Sequence, residues 1–129
     1  MLNKYLKGKR MFAGCNDGSV YELSMKHRKV IRNSGKILND QVSSIAITKD
    51  KKTLLVCSYG GKFRVLATRT LKRTNHFGIT NAEYCLVTPD GNFLITAGSG
   101  KNPNLSMWSM QTKQLVCTWQ TNVNEKVYS

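Results

Sequence analysis

Hydrophobic residues occur in short runs along this chain, and turn-forming residues separate the runs. Within the runs β-branched and aromatic types are common, and no stretch repeats apolar residues at the spacing of a helix. Polar segments such as Lys49–Lys52 and Tyr59–Gly61 lie between neighbouring runs, as in antiparallel hairpins. The pattern predicts an all-β protein, with strands near 9–15, 19–24, 28–33, 42–48, 53–58, 62–67, 71–76, 82–88, 92–98, 104–109 and 114–120.

The runs repeat along the chain with a period of roughly 40 residues. A shift of 43 positions lays residues 11–35 on residues 54–78, with matching apolar classes and glycines. A shift of 40 positions lays Ile45–Asp50 on Cys85–Asp90. Each copy has room for four strands joined by hairpins, so the repeat predicts four-stranded antiparallel units.

The whole chain is predicted to form one domain built from these units. The first unit is incomplete, because it lacks an opening strand unless the polar segment 3–7 supplies one. The predicted units are approximately 9–33, 42–78 and 82–120, and residues 121–129 are predicted to start a further strand.

These units resemble the WD40 repeat of the β-propeller class. Met107–Ser109 holds a tryptophan at the end of a third strand, where the family has its Trp-Asp pair, and Leu66–Ala67 and Leu23–Ser24 occupy the same place in the other copies. Thr88–Asn92 is similar to the first hairpin turn of the family, and Asn16–Gly18 to the turn before its third strand. The resemblance covers nearly the whole chain beyond about residue 9, and it implies a partial WD40-like β-propeller.

Two features depart from the WD40 pattern. No copy has the aspartate of the Trp-Asp pair, and Gly35–Lys36 and Gly78–Ile79 stand near where the family has Gly-His. The buried Asp-His network of the family is therefore assigned to no residue here. The resemblance implies a non-catalytic protein-interaction scaffold whose partners are other proteins.

Three units are fewer than the roughly four to eight blades with which propellers close. An arc of three blades would expose two apolar sheet faces. Three explanations follow: a segment of a longer propeller or complex, a ring completed by further copies of the chain, or an arc docked on another protein. We favour the first explanation, and a homo-oligomer stays open.

Basic residues give the chain a formal net charge of +13, and the excess lies in its first two thirds. Residues 1–35 carry +6, residues 36–78 carry +7, and residues 79–129 carry zero. In an antiparallel meander the first and third turns lie at one edge of the sheet. The lysines and arginines of these turns are therefore predicted to form a basic rim, made of Lys26, Arg28, Lys29, Lys49, Lys51, Lys52, Arg69 and Arg73.

The basic rim has two interpretations. The favoured one is a solvated surface that keeps a β protein soluble. The alternative is a module that binds RNA or a ribonucleoprotein through phosphate contacts. Lysine outnumbers arginine by fourteen to six, which argues against bidentate contacts to bases.

The turns at the opposite rim are longer and chemically mixed. They are the preferred candidates for contacts with a protein partner, through Asn16, Asp17, Tyr59, Lys101 and Asn102.

Residues with catalytic or metal-binding chemistry are scattered in this sequence. The cysteines at 15, 57, 85 and 117 are too far apart for a zinc knuckle or a redox dithiol, and their apolar surroundings favour free buried thiols. No catalytic motif, cofactor or metal site is predicted, so the protein is not expected to be an enzyme. No apolar run approaches the roughly 18 residues of a membrane helix. A cytoplasmic or nuclear location is expected.

Overall fold

The computed structural model describes residues 3–7, 10–74, 77–98 and 104–120, with the backbone alone for 3–7 and for Gln120. These residues form β-strands and no helix. The strands are β1 Asn3–Lys7, β2 Arg10–Gly14, β3 Ser19–Ser24, β4 Lys29–Lys36, β5 Val42–Ile47, β6 Thr53–Ser58, β7 Phe63–Ala67, β8 Tyr84–Val87, β9 Phe93–Ala97, β10 Asn104–Ser109 and β11 Leu115–Gln120. Within this part of the chain, no helix is long and apolar enough to cross a membrane.

Consecutive strands form three antiparallel sheets. The first sheet has the order β1-β2-β3-β4, the middle sheet β5-β6-β7, and the third sheet β8-β9-β10-β11. Strand β5 contacts both β1 and β8, so the opening strands of the three sheets lie together on the inner side. The sheets stand side by side as consecutive blades, and the predicted all-β partial propeller is confirmed.

The first sheet has four strands, because the polar segment 3–7, left open as a possible opening strand of the first unit, supplies it. Residues Asn3–Lys7 pair with Arg10–Gly14 along their whole length and supply the opening strand. Because this segment is mostly polar, the hydrophobic pattern alone does not identify it as a strand. Its backbone hydrogen bonds with β2 provide the pairing that the pattern of side chains does not indicate.

Of the outer strand predicted at 71–76, the described residues 71–74 form no strand of the middle sheet. Among the described residues there, Arg73 makes an isolated bridge to Leu66, and the backbone N–H of Thr74 donates to the carbonyl of Val65 at 2.9 Å. Leu71 adopts a left-handed φ of 56° and is buried. Pairing with β7 therefore begins after this turn, but the described part of the segment forms only one bridge.

Side-chain alternation along the middle sheet builds two hydrophobic cores. On β6, Leu54 and Val56 pack toward the first sheet, while Leu55 and Cys57 pack toward the third. The first core contains Phe12, Val20, Leu38, Val42, Ile45, Ile47, Leu54, Val56, Leu66 and Leu71. The second core contains Ala46, Leu55, Cys57, Phe63, Val65, Phe77, Ile79, Ala82 and Leu94.

The repeat is also visible in the backbone. The turns that follow the third strands contain Arg28, Leu71 and Lys113 at φ values of 54°, 56° and 61°. The turns that follow the second strands contain Gly18 and Gly61 at 84° and 81°. Equivalent sequence positions therefore adopt the same left-handed conformation, although only the glycines are identical.

All four cysteines carry free thiols. Cys57 is buried, and the other three are half-buried. The thiol of Cys85 on β8 contacts the carbonyl of Leu55 at 3.6 Å and the hydroxyl of Ser44 at 3.7 Å. Two of the cysteines therefore belong to the packing between the middle and third sheets.

Candidate interaction surfaces

The structure brings together two turns of the predicted basic rim in the middle sheet. Thr68, at the end of β7, donates its backbone N–H to the carbonyl of Lys52 at 2.9 Å and its hydroxyl to the carbonyl of Lys51 at 2.8 Å. Arg69 follows directly, so its side chain and those of the two lysines leave the sheet at one edge. All eight residues of the basic rim are exposed.

The first turn of the third sheet adjoins this edge. A Cβ added at Gly91 would lie 2.8 Å from the Cβ of Lys49, which places the two turns in contact. Of the remaining rim residues, Lys26 and Arg28 lie in the β3–β4 turn and Lys29 begins β4. Arg73 lies beyond the turn that follows β7, where it bridges Leu66.

A clasp between Glu22 and Arg32 connects the first sheet to this edge. Arg32 donates its Nε–H to Glu22 Oε1 at 2.6 Å, and its Nη2 to the carbonyl of Thr68 at 2.5 Å. Its Nη1 donates to the carbonyl of Arg69. Glu22 is buried and also pairs with Arg10 at 3.5 Å. Sequence reasoning missed this clasp, although a glutamate in the middle of an apolar strand was a signal for it.

The first turns of the middle and third sheets share one hydrogen-bond pattern. Asp50 Oδ1 accepts from the hydroxyl of Thr48 at 2.6 Å and from the backbone N–H of Lys52 at 2.9 Å. Asp90 Oδ1 accepts from the hydroxyl of Thr88 at 2.7 Å and from the backbone N–H of Asn92 at 2.9 Å. Residues 40 positions apart therefore make the same hydrogen bonds, as the repeat predicts.

These bonds lower the pKa of both aspartates below the ordinary value of 3.8. For Asp50 the Thr48 hydroxyl is the main cause, and for Asp90 it is the backbone N–H of Asn92. Because the folded state holds these carboxylates in their charged form, their contribution to stability is present above pH 3.8. It is lost as the pH falls through the lowered values. At neutral pH both aspartates are therefore negatively charged, Asp50 among the lysines of the basic rim and Asp90 in the adjoining turn of the third sheet.

Replacing Lys51 by glycine is expected to stabilise the protein by about 0.5–1 kcal/mol. Lys51 holds a left-handed φ of 65°, and its counterpart in the third sheet is Gly91 at 78°. Glycine adopts this conformation without a steric penalty from Cβ. Urea denaturation followed by far-UV circular dichroism measures the change. A loss of stability in Lys51→Gly would show that the lysine side chain contributes more than the backbone strain costs.

A cleft of about 360 Å³ opens between the middle and third sheets at this rim. Its floor is apolar and includes Leu55, Val65 and Phe77. Charged groups of both signs stand at its mouth, namely Lys49, Asp50, Asp90 and Lys113. The cleft was invisible in the sequence, because it depends on how closely two sheets approach each other.

The opposite rim contains the turns predicted to contact a protein partner. Asp17 accepts hydrogen bonds from the backbone N–H of Ser19 at 3.0 Å and from its hydroxyl, which lower the pKa of the aspartate. Asn16 is exposed, and Tyr59 is 39% exposed. The predicted residues Lys101 and Asn102 lie outside the described residues.

Backbone bonds place these turns on one side. The carbonyl of Cys15, next to Asn16, accepts from the N–H of Val42 at 3.1 Å, and the N–H of Tyr59 donates to the carbonyl of Gln41 at 3.1 Å. Both turns therefore meet the start of β5.

The third sheet presents an apolar face that points away from the middle sheet. Leu94 and Trp108 pack toward the middle sheet, so residues of the opposite alternation point outward. Among these, Leu86 is 61% exposed, Trp119 is 47% exposed and Tyr84 is 38% exposed. We name this surface the outer third-sheet face; it consists of Tyr84, Leu86, Ile95, Leu105, Met107 and Trp119.

The first sheet has an apolar groove of about 310 Å³ near its outer edge. Met25 and Val30, which line it, are 51% and 55% exposed. The groove is lined by Met11, Leu23, Ser24, Met25, Arg28, Lys29 and Val30. Apolar side chains are thus exposed at both ends of the row of sheets, as the three-unit arrangement predicts.

In the described part of the chain, metal-binding side chains do not gather at one place. Among the described residues, no group of three or more histidine, cysteine, aspartate or glutamate side chains is placed to hold a metal ion. His27 is exposed in the β3–β4 turn.

Comparison with known proteins identifies the architecture. No family model and no curated protein matches the chain. Solved structures do match. The chain aligns with the Cps50 (Swd1) β-propeller domain of Myceliophteria thermophila at a TM-score of 0.76, with 14% identity, over 93% of this chain and 43% of that one. It aligns with hydrazine synthase of Kuenenia stuttgartiensis at a TM-score of 0.75, with 17% identity, over 88% of this chain and 34% of that one.

The computationally designed Ika8 protein gives a TM-score of 0.72 at 11% identity, over 91% of this chain and 35% of that one. The chain therefore spans 34% to 43% of the length of these structures. At such low identity the similarity concerns the fold alone. The chain has the fold of consecutive β-propeller blades.

Proposed function

We propose that the protein is a non-catalytic protein-interaction scaffold, a partial propeller of the WD40 type. The observation that carries this proposal is the outer third-sheet face. Leu86 on that face is 61% exposed, whereas Ala46, its counterpart 40 positions earlier on the middle sheet, is 5% exposed beneath the third sheet. The same kind of surface is covered in one sheet and open in the next.

The chemistry of this face suits a protein partner. Full burial of a large apolar side chain contributes about 1.5–3 kcal/mol. Tyrosine and tryptophan are among the residues that most often dominate binding energy at protein interfaces. Tyr84, Leu86 and Trp119 therefore supply anchors for a partner that presents its own apolar sheet face.

Site-specific photo-crosslinking tests the scaffold. A photoreactive phenylalanine derivative is placed at Leu86, at Trp119, or at Lys51 on the basic rim, and the full chain is irradiated in extract of its source. We expect a discrete protein adduct from positions 86 and 119 and none from position 51. The change Leu86→Asp should reduce the adduct from position 119 by about tenfold or more, since it places a charge inside the interface.

Two results would contradict the proposal. The first is equal protein crosslinking from all three positions, which indicates nonspecific contact. The second is RNA attached at position 51, in an amount that falls steeply with salt, without protein at positions 86 and 119. That second result would favour the RNA-binding alternative.

A further inference from the structure

Two arginines lie on the face of the middle sheet that packs against the first sheet. Leu66 belongs to the first core, and Arg64 precedes it by two positions on β7, so both side chains share a face. Arg73 makes an antiparallel bridge with Leu66, and residues directly opposite in such a pair also point to the same face. We name Arg64 and Arg73 the arginine pair.

Arg64 has an unsatisfied donor. One guanidinium nitrogen, Nη1, donates to the carbonyl of Phe63 at 3.0 Å. The Nε–H of the same side chain is buried and has no hydrogen-bond partner. Burial, and then the positive charge of Arg73, lower the pKa of Arg64. A buried donor without an acceptor is costly, so an acceptor that reached this guanidinium group would be stabilised.

The ion pairs of the described residues do not include either member of the arginine pair. Among the described residues, the ion pairs are those of Glu22 with Arg10 and Arg32. Arg32 also donates to the carbonyls of Thr68 and Arg69. The arginine pair therefore brings two positive charges together without one of these ion pairs to offset them.

We propose that the arginine pair binds a phosphate monoester at the edge between the first and middle sheets. A guanidinium group presents parallel N–H donors that match the oxygens of a phosphate. A phosphate monoester carries a charge of about −1.5 to −2 at neutral pH, which balances two arginines, whereas a phosphodiester of nucleic acid carries about −1. The charge therefore favours a phosphorylated side chain or a free phosphate over a nucleic acid backbone.

Side-chain NMR of the full chain tests this site. Inorganic phosphate, phosphoserine and a dinucleotide phosphodiester are titrated separately, each against chloride at matched ionic strength. We expect the Arg64 Nε–H resonance to shift saturably with inorganic phosphate and with phosphoserine, whose phosphate groups carry the larger negative charge. Tighter binding of phosphoserine would identify a phosphorylated side chain as the natural ligand, and tighter binding of phosphate would identify the free ion.

Matched variants distinguish a specific phosphate site from general electrostatic attraction to a basic protein. Arg73→Gln removes an exposed side chain and should weaken phosphate binding by about tenfold or more. Arg28→Gln removes the same charge from an exposed turn of the first sheet and should change the affinity by less than about twofold. Circular dichroism checks that both variants are folded. Arg64→Lys should weaken binding as strongly as Arg73→Gln, since lysine cannot present the fork of donors.

Three results would overturn the phosphate site. Chloride could produce the same shift, or Arg28→Gln could weaken binding as much as Arg73→Gln. The dinucleotide could also bind as tightly as phosphate with the same dependence on Arg73, which would assign the pair to nucleic acid. The site lies apart from the outer third-sheet face, so it can fail while the scaffold proposal stands, and the reverse also holds.

Discussion

Replacing Gly18 by alanine is expected to destabilise the protein by about 3 kcal/mol or more. Gly18 has a φ of 84°, and a Cβ there would overlap the carbonyl oxygen of Leu38 and lie 2.8 Å from its carbonyl carbon. The carbonyl of Gly18 also accepts from the N–H groups of Ile37 and Leu38 at 3.1 and 3.2 Å. An alanine would force this turn away from the segment that leads into β5. Urea denaturation followed by far-UV circular dichroism measures the loss.

Gly35→Ala is the matched control for this change. Gly35 also has a left-handed φ, at 72°, but a Cβ there would meet no atom within 4 Å. Its substitution should cost only the backbone penalty of about 1–2 kcal/mol. Equal losses of stability in Gly18→Ala and Gly35→Ala would contradict this prediction. They would show that the Cβ overlap with Leu38 adds nothing to the backbone penalty.

The hydrogen bonds that Gly18 accepts have a counterpart at the next junction between sheets. Gly61 stands at the equivalent turn of the middle sheet, and its carbonyl accepts from the N–H of Ala82 at 3.0 Å. In each case the turn after the second strand bonds to the segment that enters the next sheet. These glycines therefore help to set how one sheet is placed relative to the next.

Much of this architecture could be predicted from the sequence, because local chemistry dictates it. Apolar runs of strand length and polar turns give the strands within a few residues, as for β6 and β10. The glycines at 18 and 61 align under a shift of 43 positions, and the structure gives both the same backbone conformation. The two sheet faces that a three-unit arc should expose are exposed.

Other features could not be predicted, because they depend on contacts between sheets. The segment after β7 has the composition of an edge strand, yet its described part pairs with β7 through one bridge, and Leu71 at its start is buried in the first core. The clasp of Glu22 with Arg32 and the buried Nε–H of Arg64 both require two sheets to be in place. The alternation of residues shows which face a charged side chain occupies, but it does not show what the neighbouring sheet places opposite.

Replacing Leu54 or Leu55 by alanine is expected to cost about 3–4 kcal/mol in each case. The two residues are adjacent on β6 and both are fully buried, but they point in opposite directions. Leu54 packs in the core shared with the first sheet, and Leu55 in the core shared with the third. Each truncation removes apolar contacts and leaves a cavity that a rigid sheet cannot fill. The denaturant midpoint, at an unchanged slope, measures the loss.

Val30→Ala provides the control, since Val30 is 55% exposed and should lose less than about 0.5 kcal/mol. A small loss for Leu55→Ala beside a large one for Leu54→Ala would contradict the packing of the third sheet on the middle sheet. The rim cleft, whose floor includes Leu55, would then lose its outer wall as well. Similar losses at the two leucines would instead show that the middle sheet is supported from both sides, which is what a blade within a propeller requires.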